Sequence, residues 1–73
     1  MEGSVMKISA RNIIKGKIVE IKDGAVNSEV VLDIGGTQII SIITRDAVES
    51  LKLKVGATAY AVVKASNVMI AVD

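Results

Sequence analysis

The chain has 73 residues, with nine basic and eight acidic side chains, no Cys, no His and a single aromatic residue, Tyr60. This length allows one domain, whose core rarely supplies more than about 3–5 kcal/mol without further support. The missing Cys excludes disulfides, and without Cys or His a structural zinc site is strongly disfavoured. Because 51% of the residues are hydrophobic, subunit association is the predicted source of support.

Charge and aromatic content restrict the function class. A net charge of +1 lacks the basic excess of a nucleic-acid binder, and one aromatic offers too few stacking platforms for single strands. The apolar runs reach about five residues, far below the ~20 of a membrane span, and no signal-peptide pattern is visible. We expect a cytoplasmic domain over residues 6–73, preceded at 1–5 by a native extension or a cloning remnant.

The first half of the chain predicts strands, since Val and Ile are abundant and Gly marks the turns. The first strand is expected over about residues 12–22, with a bulge where the apolar phase shifts from Ile18 to Val19. The second strand leaves Val31 exposed or at an interface, and alternate residues point to its core face: Val26, Ser28, Val30, Leu32 and Ile34. Gly35-Gly36 supply the positive φ values of a tight hairpin.

The second half predicts three more strands and one helix. A strand over about residues 37–43 has Ile on both faces, which favours cover by its own core and by another subunit. Thr44 is expected to cap a short helix over about residues 45–52, with Lys52 near its end interacting favourably with the helix dipole. Strands over about residues 57–64 and 67–72 follow. This order predicts an all-β fold, a five-stranded OB-fold Greek-key barrel with one short helix between strands 3 and 4; a β-meander sandwich is the alternative.

Two segments each join a cation to a hydroxyl beside a predicted strand: Ser9-Ala10-Arg11-Asn12 and Lys64-Ala65-Ser66-Asn67. An Arg fork suits a tetrahedral oxyanion, and a Lys adds a mobile point charge. Thr44 adds a hydroxyl and free N–H groups at a helix start. Together these groups favour a compact oxyanion. Simpler interpretations are also open: a solvated Arg, a plain helix cap and a gatekeeper Lys at a strand end.

Six segments resemble the molbindins, small molybdate-binding proteins: residues 7–12, 15–17, 24–26, 28–32, 42–43 and 62–71. The resemblance covers nearly the whole chain from Met6. It implies an OB-fold domain of the TOBE type that assembles as a homohexamer, a trimer of dimers. It further implies that molybdate or tungstate binds at subunit interfaces, for cytoplasmic storage and homeostasis, with no metal atom coordinated directly by the protein.

The resemblance also implies which residues bind the anion. Side chains of Ser9, Arg11 and Lys64 are expected to approach it from one subunit, while Thr44 comes from the neighbour. Backbone near Ala10 and Ala65 is expected to contribute, with Ser66 as a further donor. Some relatives carry Ser where this chain has Ala47, so backbone N–H groups or Ser66 are the expected replacements here.

Other functions fit the sequence less well. A ligand-free interaction module or a sensing domain is the main alternative, and a nucleic-acid-binding OB fold is a weaker one. An enzyme is not expected, because no pattern marks a Ser nucleophile with a base. The aspartates at turns, strand faces and the chain end show no acid–base pairing: Asp23, Asp33, Asp46 and Asp73.

Overall fold

In a computed structural model, which describes residue 9 and residues 11–73, the chain forms one curled antiparallel sheet with a short helix. Its strands are β1 (Asn12–Asp23), β2 (Asn27–Asp33), β3 (Gln38–Thr44) and β4 (Thr58–Val63), with helix α1 (Arg45–Ser50) between β3 and β4. The sheet order is β3-β2-β1-β4. The expected all-β class is therefore confirmed, with four strands in the described chain.

Strand β1 organises the sheet, because its first half pairs with β4 and its second half with β2. The register shifts between Ile18 and Glu20, which leaves Val19 as an extra residue and confirms the predicted bulge. At Gly16 a Cβ would lie 2.9 Å from the backbone oxygen of Asp33 and 2.9 Å from a methyl group of Ile34. Only glycine permits this close approach, which lets β1 cross from one partner strand to the other.

The core lies on one face of the sheet. Ile18, Val30 and Leu32 are buried, and Ser28 is buried beside them, as the alternation predicted for the residues within β2. Val26, also predicted to point to the core, is 69% exposed, so that prediction is wrong: it lies in the turn before β2, outside the sheet. Val31, expected to be exposed or at an interface, is only 4% exposed, so that prediction is wrong. Val31 lies on β2, which pairs with β1 on one side and β3 on the other. Its cross-strand partners are Glu20 and Ile40, whose side chains share its face of the sheet.

Helix α1 is shorter than predicted. Thr44 caps it as expected, since its Oγ1 accepts a hydrogen bond of 3.0 Å from the Ala47 N–H. The helix ends at Ser50, and Lys52 follows with a φ of 55°. Bonds from the Lys52 and Leu53 amides to the Glu49 and Val48 carbonyls make this end a Schellman motif. The predicted place of Lys52 within the helix end is therefore wrong.

The predicted fifth strand is absent from the described chain. A single 3-10 turn covers Ala65–Asn67, and residues 68–73 have no regular structure. Met69, Ile70 and Val72 are 85–91% exposed. The prediction of a strand over 67–72 is wrong for the single chain, because a strand forms only where a second backbone supplies hydrogen-bond partners.

Candidate oxyanion site

The pairing of β1 with β4 brings the two cation-bearing segments together. Asn12 lies opposite Val63, and its side-chain Nδ2 donates a hydrogen bond of 3.2 Å to the Val63 carbonyl. Arg11 directly precedes Asn12 and Lys64 directly follows Val63. In an antiparallel pair the residues just beyond the last paired positions lie at the same end of the ladder, so the register brings Arg11 and Lys64 to one end of the sheet.

The side chains at this end are available to a ligand. Ser9, Arg11 and Lys64 are all exposed. Over residues 11–73, the ion pair that forms joins Lys22 to Glu20, and neither Arg11 nor Lys64 is paired with a described carboxylate. The two positive charges therefore remain uncompensated by that part of the chain, as an anion site requires.

The turn after β4 adds backbone donors to this end. The Asn67 amide donates to the Lys64 carbonyl at 2.8 Å and the Val68 amide to the Ala65 carbonyl at 3.3 Å. A helical turn leaves its first N–H groups without acceptors inside the turn, and here these belong to Ala65 and Ser66. Both residues are exposed. Ala10, expected to contribute backbone, lies outside the described residues.

Thr44 lies at the other end of the sheet. It pairs with Asn27 at the start of β2, next to the end of β1. Strand β1 has 12 residues, so its two ends are roughly 36 Å apart along its length at about 3.3 Å per residue. Within one chain, Thr44 is therefore not brought to Arg11 and Lys64.

Thr44 has a pocket of its own, with a volume of about 300 Å³. The pocket is lined by the β1–β2 turn and the start of α1: Ala25, Val26, Thr44, Arg45, Asp46 and Glu49. Since Thr44 Oγ1 accepts the capping bond, its hydroxyl proton is free to be donated to a ligand. Two carboxylates lie here, so an anion at this pocket needs further positive charge from elsewhere.

Sequence reasoning missed the turn residues and Arg45 in this pocket. Arg45 follows Thr44 directly, and that adjacency was visible in the sequence. No comparable signal pointed to Ala25 and Val26. They line the pocket because the Arg45 amide donates a hydrogen bond of 2.8 Å to the Val26 carbonyl, a contact between segments distant in sequence.

A larger apolar groove, with a volume of about 760 Å³, separates the edge strands β3 and β4. Its floor includes the core residues Val30 and Leu32, and its walls include Ile39, Ile43 and Ala61. The groove is a second exposed feature of the described chain, besides the cation-rich end.

Residues 11–73 contain no helix long and apolar enough to cross a membrane.

Comparison with known protein families matches residues 8–70 to the TOBE domain. The chain belongs to the TOBE domain family. This TOBE domain is also 58% identical to molybdenum-pterin-binding protein 2 of Clostridium pasteurianum, over 89% of this chain and 97% of the relative. The resemblance noted in the sequence is thereby confirmed.

Solved structures give the same result for the fold. A molybdate-binding protein from Sporomusa ovata matches the TOBE domain with a TM-score of 0.87 and 38% identity, over 90% of this chain and 98% of that one. The cytoplasmic molybdate-binding protein ModG, solved with molybdate bound, matches with a TM-score of 0.85 and 52% identity. That match covers 93% of this chain and 49% of ModG.

Proposed function

We propose that this TOBE domain binds molybdate, a tetrahedral dianion, at the interface between subunits. The observation that carries the proposal is the β1–β4 register, which ends at Asn12 opposite Val63 and so brings the adjacent Arg11 and Lys64 to one end of the sheet, beside the turn after β4. Relatives of high identity named for molybdate binding support the choice of anion. Tungstate, with the same shape and charge, is the proposed second ligand.

In the proposed site one subunit supplies most of the contacts. The Arg11 guanidinium donates two parallel hydrogen bonds to anion oxygens, and Lys64 contributes charge and a single donor. Ser9 and Ser66 donate hydroxyls, and the backbone at Ala10 and Ala65 donates N–H groups. These neutral donors fix orientation, while the two cations balance the charge of the anion.

The neighbouring subunit supplies Thr44. Its separation from Arg11 along β1 within one chain and its free hydroxyl proton support a contribution across an interface. The neighbour's Thr44 then closes a pocket that a single subunit leaves open. Ala47 cannot donate the side-chain hydrogen bond that a Ser at this position would supply, so Ser66 and backbone amides donate to the anion instead.

Self-association would also explain the exposed C-terminal segment and the open groove between β3 and β4. We infer that residues 68–72 pair with an edge strand of a second copy and fill its groove between β3 and β4. The apolar character of both surfaces and the 85–91% exposure of Met69, Ile70 and Val72 support this exchange. The result is a five-stranded OB-type barrel completed between chains, and the proposed assembly is a homohexamer, a trimer of dimers.

The proposed role is storage of molybdate in the cytoplasm, as a binding protein and not as an enzyme. The description of ModG as cytoplasmic supports this location, and the TOBE match over residues 8–70 supports a single domain over residues 6–73. Residues 1–5 lie outside the described chain. Neither nucleic acid nor membrane is proposed as a partner.

Calorimetric titration of the assembled protein with molybdate, tungstate, sulfate and phosphate tests the proposal. We expect saturable binding of molybdate and tungstate, with much weaker binding of the two smaller anions. Binding of sulfate or phosphate in preference to molybdate would refute the assignment. A monomer in sedimentation analysis that binds no oxyanion would favour the ligand-free interaction module instead.

A further inference from the structure

Ser28 is a buried polar side chain whose contact the proposed site does not use. It is 1% exposed and is the one polar side chain buried within residues 11–73. Its hydroxyl donates a hydrogen bond of 2.5 Å to Oδ1 of Asp23. The two residues face each other across the β1–β2 pair, so this bond closes the base of the turn over residues 24–27.

The turn over residues 24–27 also holds the start of α1. The Gly24 amide donates to the Asn27 carbonyl at 2.7 Å, which tightens the turn, and the Val26 carbonyl accepts from the Arg45 amide at 2.8 Å. Asn27 also lies opposite Thr44 in the β2–β3 register. A continuous set of contacts therefore runs from Asp23 and Ser28 through the turn to Thr44 and Arg45.

We propose that the Ser28–Asp23 hydrogen bond is a positioning contact that fixes the turn over residues 24–27 against Arg45 and thereby orients the Thr44 hydroxyl. The significance for ligand binding rests on the proposed function, in which Thr44 reaches the oxyanion of a neighbouring subunit. The geometric part, control of the Arg45 amide by the turn, stands without a ligand.

The physical reason is the weak support of the turn by other contacts. Gly24, Ala25 and Val26 are all exposed, Val26 at 69%, so little apolar burial holds them. Exposed segments with few buried contacts open at low free energy. A hydrogen bond from a shielded hydroxyl to a charged acceptor is stronger than a neutral one. Here it holds the turn closed, which apolar burial does not do.

Hydrogen exchange of the Arg45 amide, followed by NMR in the ligand-free protein, tests the geometric part. We expect Ser28→Ala and Asp23→Ala to speed this exchange about ten- to a hundredfold, the equivalent of one lost charge-assisted hydrogen bond. Ser28→Thr keeps the hydroxyl and should restore slow exchange. Unchanged Arg45 exchange in both alanine variants would overturn the proposal.

Asp33→Ala is the matched control. The Asp33 carboxylate accepts a hydrogen bond of 3.1 Å from the Gly36 amide and so supports the β2–β3 turn, at the opposite end of β2 from Thr44. This variant should loosen its own turn and leave Arg45 exchange unchanged. If Asp33→Ala speeds Arg45 exchange as much as Ser28→Ala does, the effect is general loosening of the sheet and the positioning role is refuted.

Molybdate titration in two backgrounds tests the consequence for binding. Ser28→Ala should weaken binding about three- to tenfold when Thr44 is present and have little effect in a Thr44→Ala background, because the contact acts through Thr44. Equal weakening in both backgrounds would overturn the proposal. If the wild-type protein binds no molybdate, the proposed function fails, and the exchange measurement alone decides whether the contact positions Arg45.

Discussion

Arg11 and Lys64 are the side chains on which the proposed site depends most. Both are exposed and flank the terminal pair of the β1–β4 ladder. We expect Arg11→Ala and Lys64→Ala each to weaken molybdate binding by about 2–5 kcal/mol, the usual cost of truncating one partner of a desolvated charge pair. Calorimetry of each variant measures the loss.

Lys15→Ala is the control for those two variants. Lys15 is an exposed cation on β1, opposite Tyr60, and its removal changes the net charge by the same amount. Its titration should match the wild type apart from a small long-range effect that salt screens. Equal losses in all three variants would mean that net charge, and not this pocket, determines binding.

Gly16 carries a separate prediction about stability. A Cβ at this position would lie 2.9 Å from the Asp33 carbonyl oxygen and 2.9 Å from Ile34, and the backbone atom cannot rotate away. We expect Gly16→Ala to lower the free energy of unfolding by about 1–3 kcal/mol, the usual cost of overpacking. Denaturant titration at fixed protein concentration checks this. An unchanged midpoint would show that β1 and β2 can move apart without lowering the free energy of unfolding.

Single residues also show where sequence reasoning stops. Period-2 alternation identified the inward side chains correctly within β2, because the pleat imposes that period on any strand. It failed for Val26, which lies in the turn before β2 and is 69% exposed. It misjudged Val31, since the burial of an outward residue depends on which strands lie beside it. Nothing in the sequence around Val31 indicates that Glu20 and Ile40 lie beside it.

At the scale of elements, the C-terminal segment, residues 68–73, shows more clearly that the sequence does not reveal which strands lie side by side. Its apolar residues have the composition of a strand, and a strand was predicted. Helix α1 and the four formed strands depend on local turn and cap signals such as Thr44 and Gly35-Gly36, which sequence reasoning used. In the proposal, the fifth strand depends instead on a second backbone, and composition alone does not say which chain supplies it.

Deleting residues 68–73 tests the role of that segment. We expect the shortened protein to lose its assembly and its molybdate binding, although it keeps Arg11, Thr44 and Lys64, because the groove between β3 and β4 then stays unfilled. Sedimentation analysis and calorimetry check the two losses. Removing Asp73 alone is the control and should change neither, whereas an intact oligomer after the full deletion would contradict the proposed strand exchange.

At the scale of the whole molecule, small size and ligand binding are connected through assembly. A 73-residue chain buries a limited share of its surface, and the described sheet leaves Ile40 and Ile42 62% exposed. In the proposal, contacts between copies cover such residues and also build the anion pocket. A ligand that binds only the assembled state then stabilises it by mass action.

Mixing two inactive variants tests whether the pocket is shared between subunits. Arg11→Ala and Thr44→Ala proteins should each bind molybdate poorly. When they are unfolded, mixed in equal amounts and refolded together, about a quarter of the sites in a randomly mixed symmetric oligomer receive an intact Arg11 from one subunit and an intact Thr44 from the next. Calorimetry should therefore show a fraction of wild-type affinity sites that neither variant has alone.

The result depends on the geometry of β1. If Arg11 and Thr44 of the same chain served one site, every subunit in the mixture would carry a defect in its own site, and no tight site would appear. The control is a mixture of Arg11→Ala with Lys64→Ala, both assigned to the same wall of the pocket, which should restore no tight sites. Recovery in that control as well would mean that Arg11 and Lys64 come from different subunits, against the β1–β4 pairing within one chain.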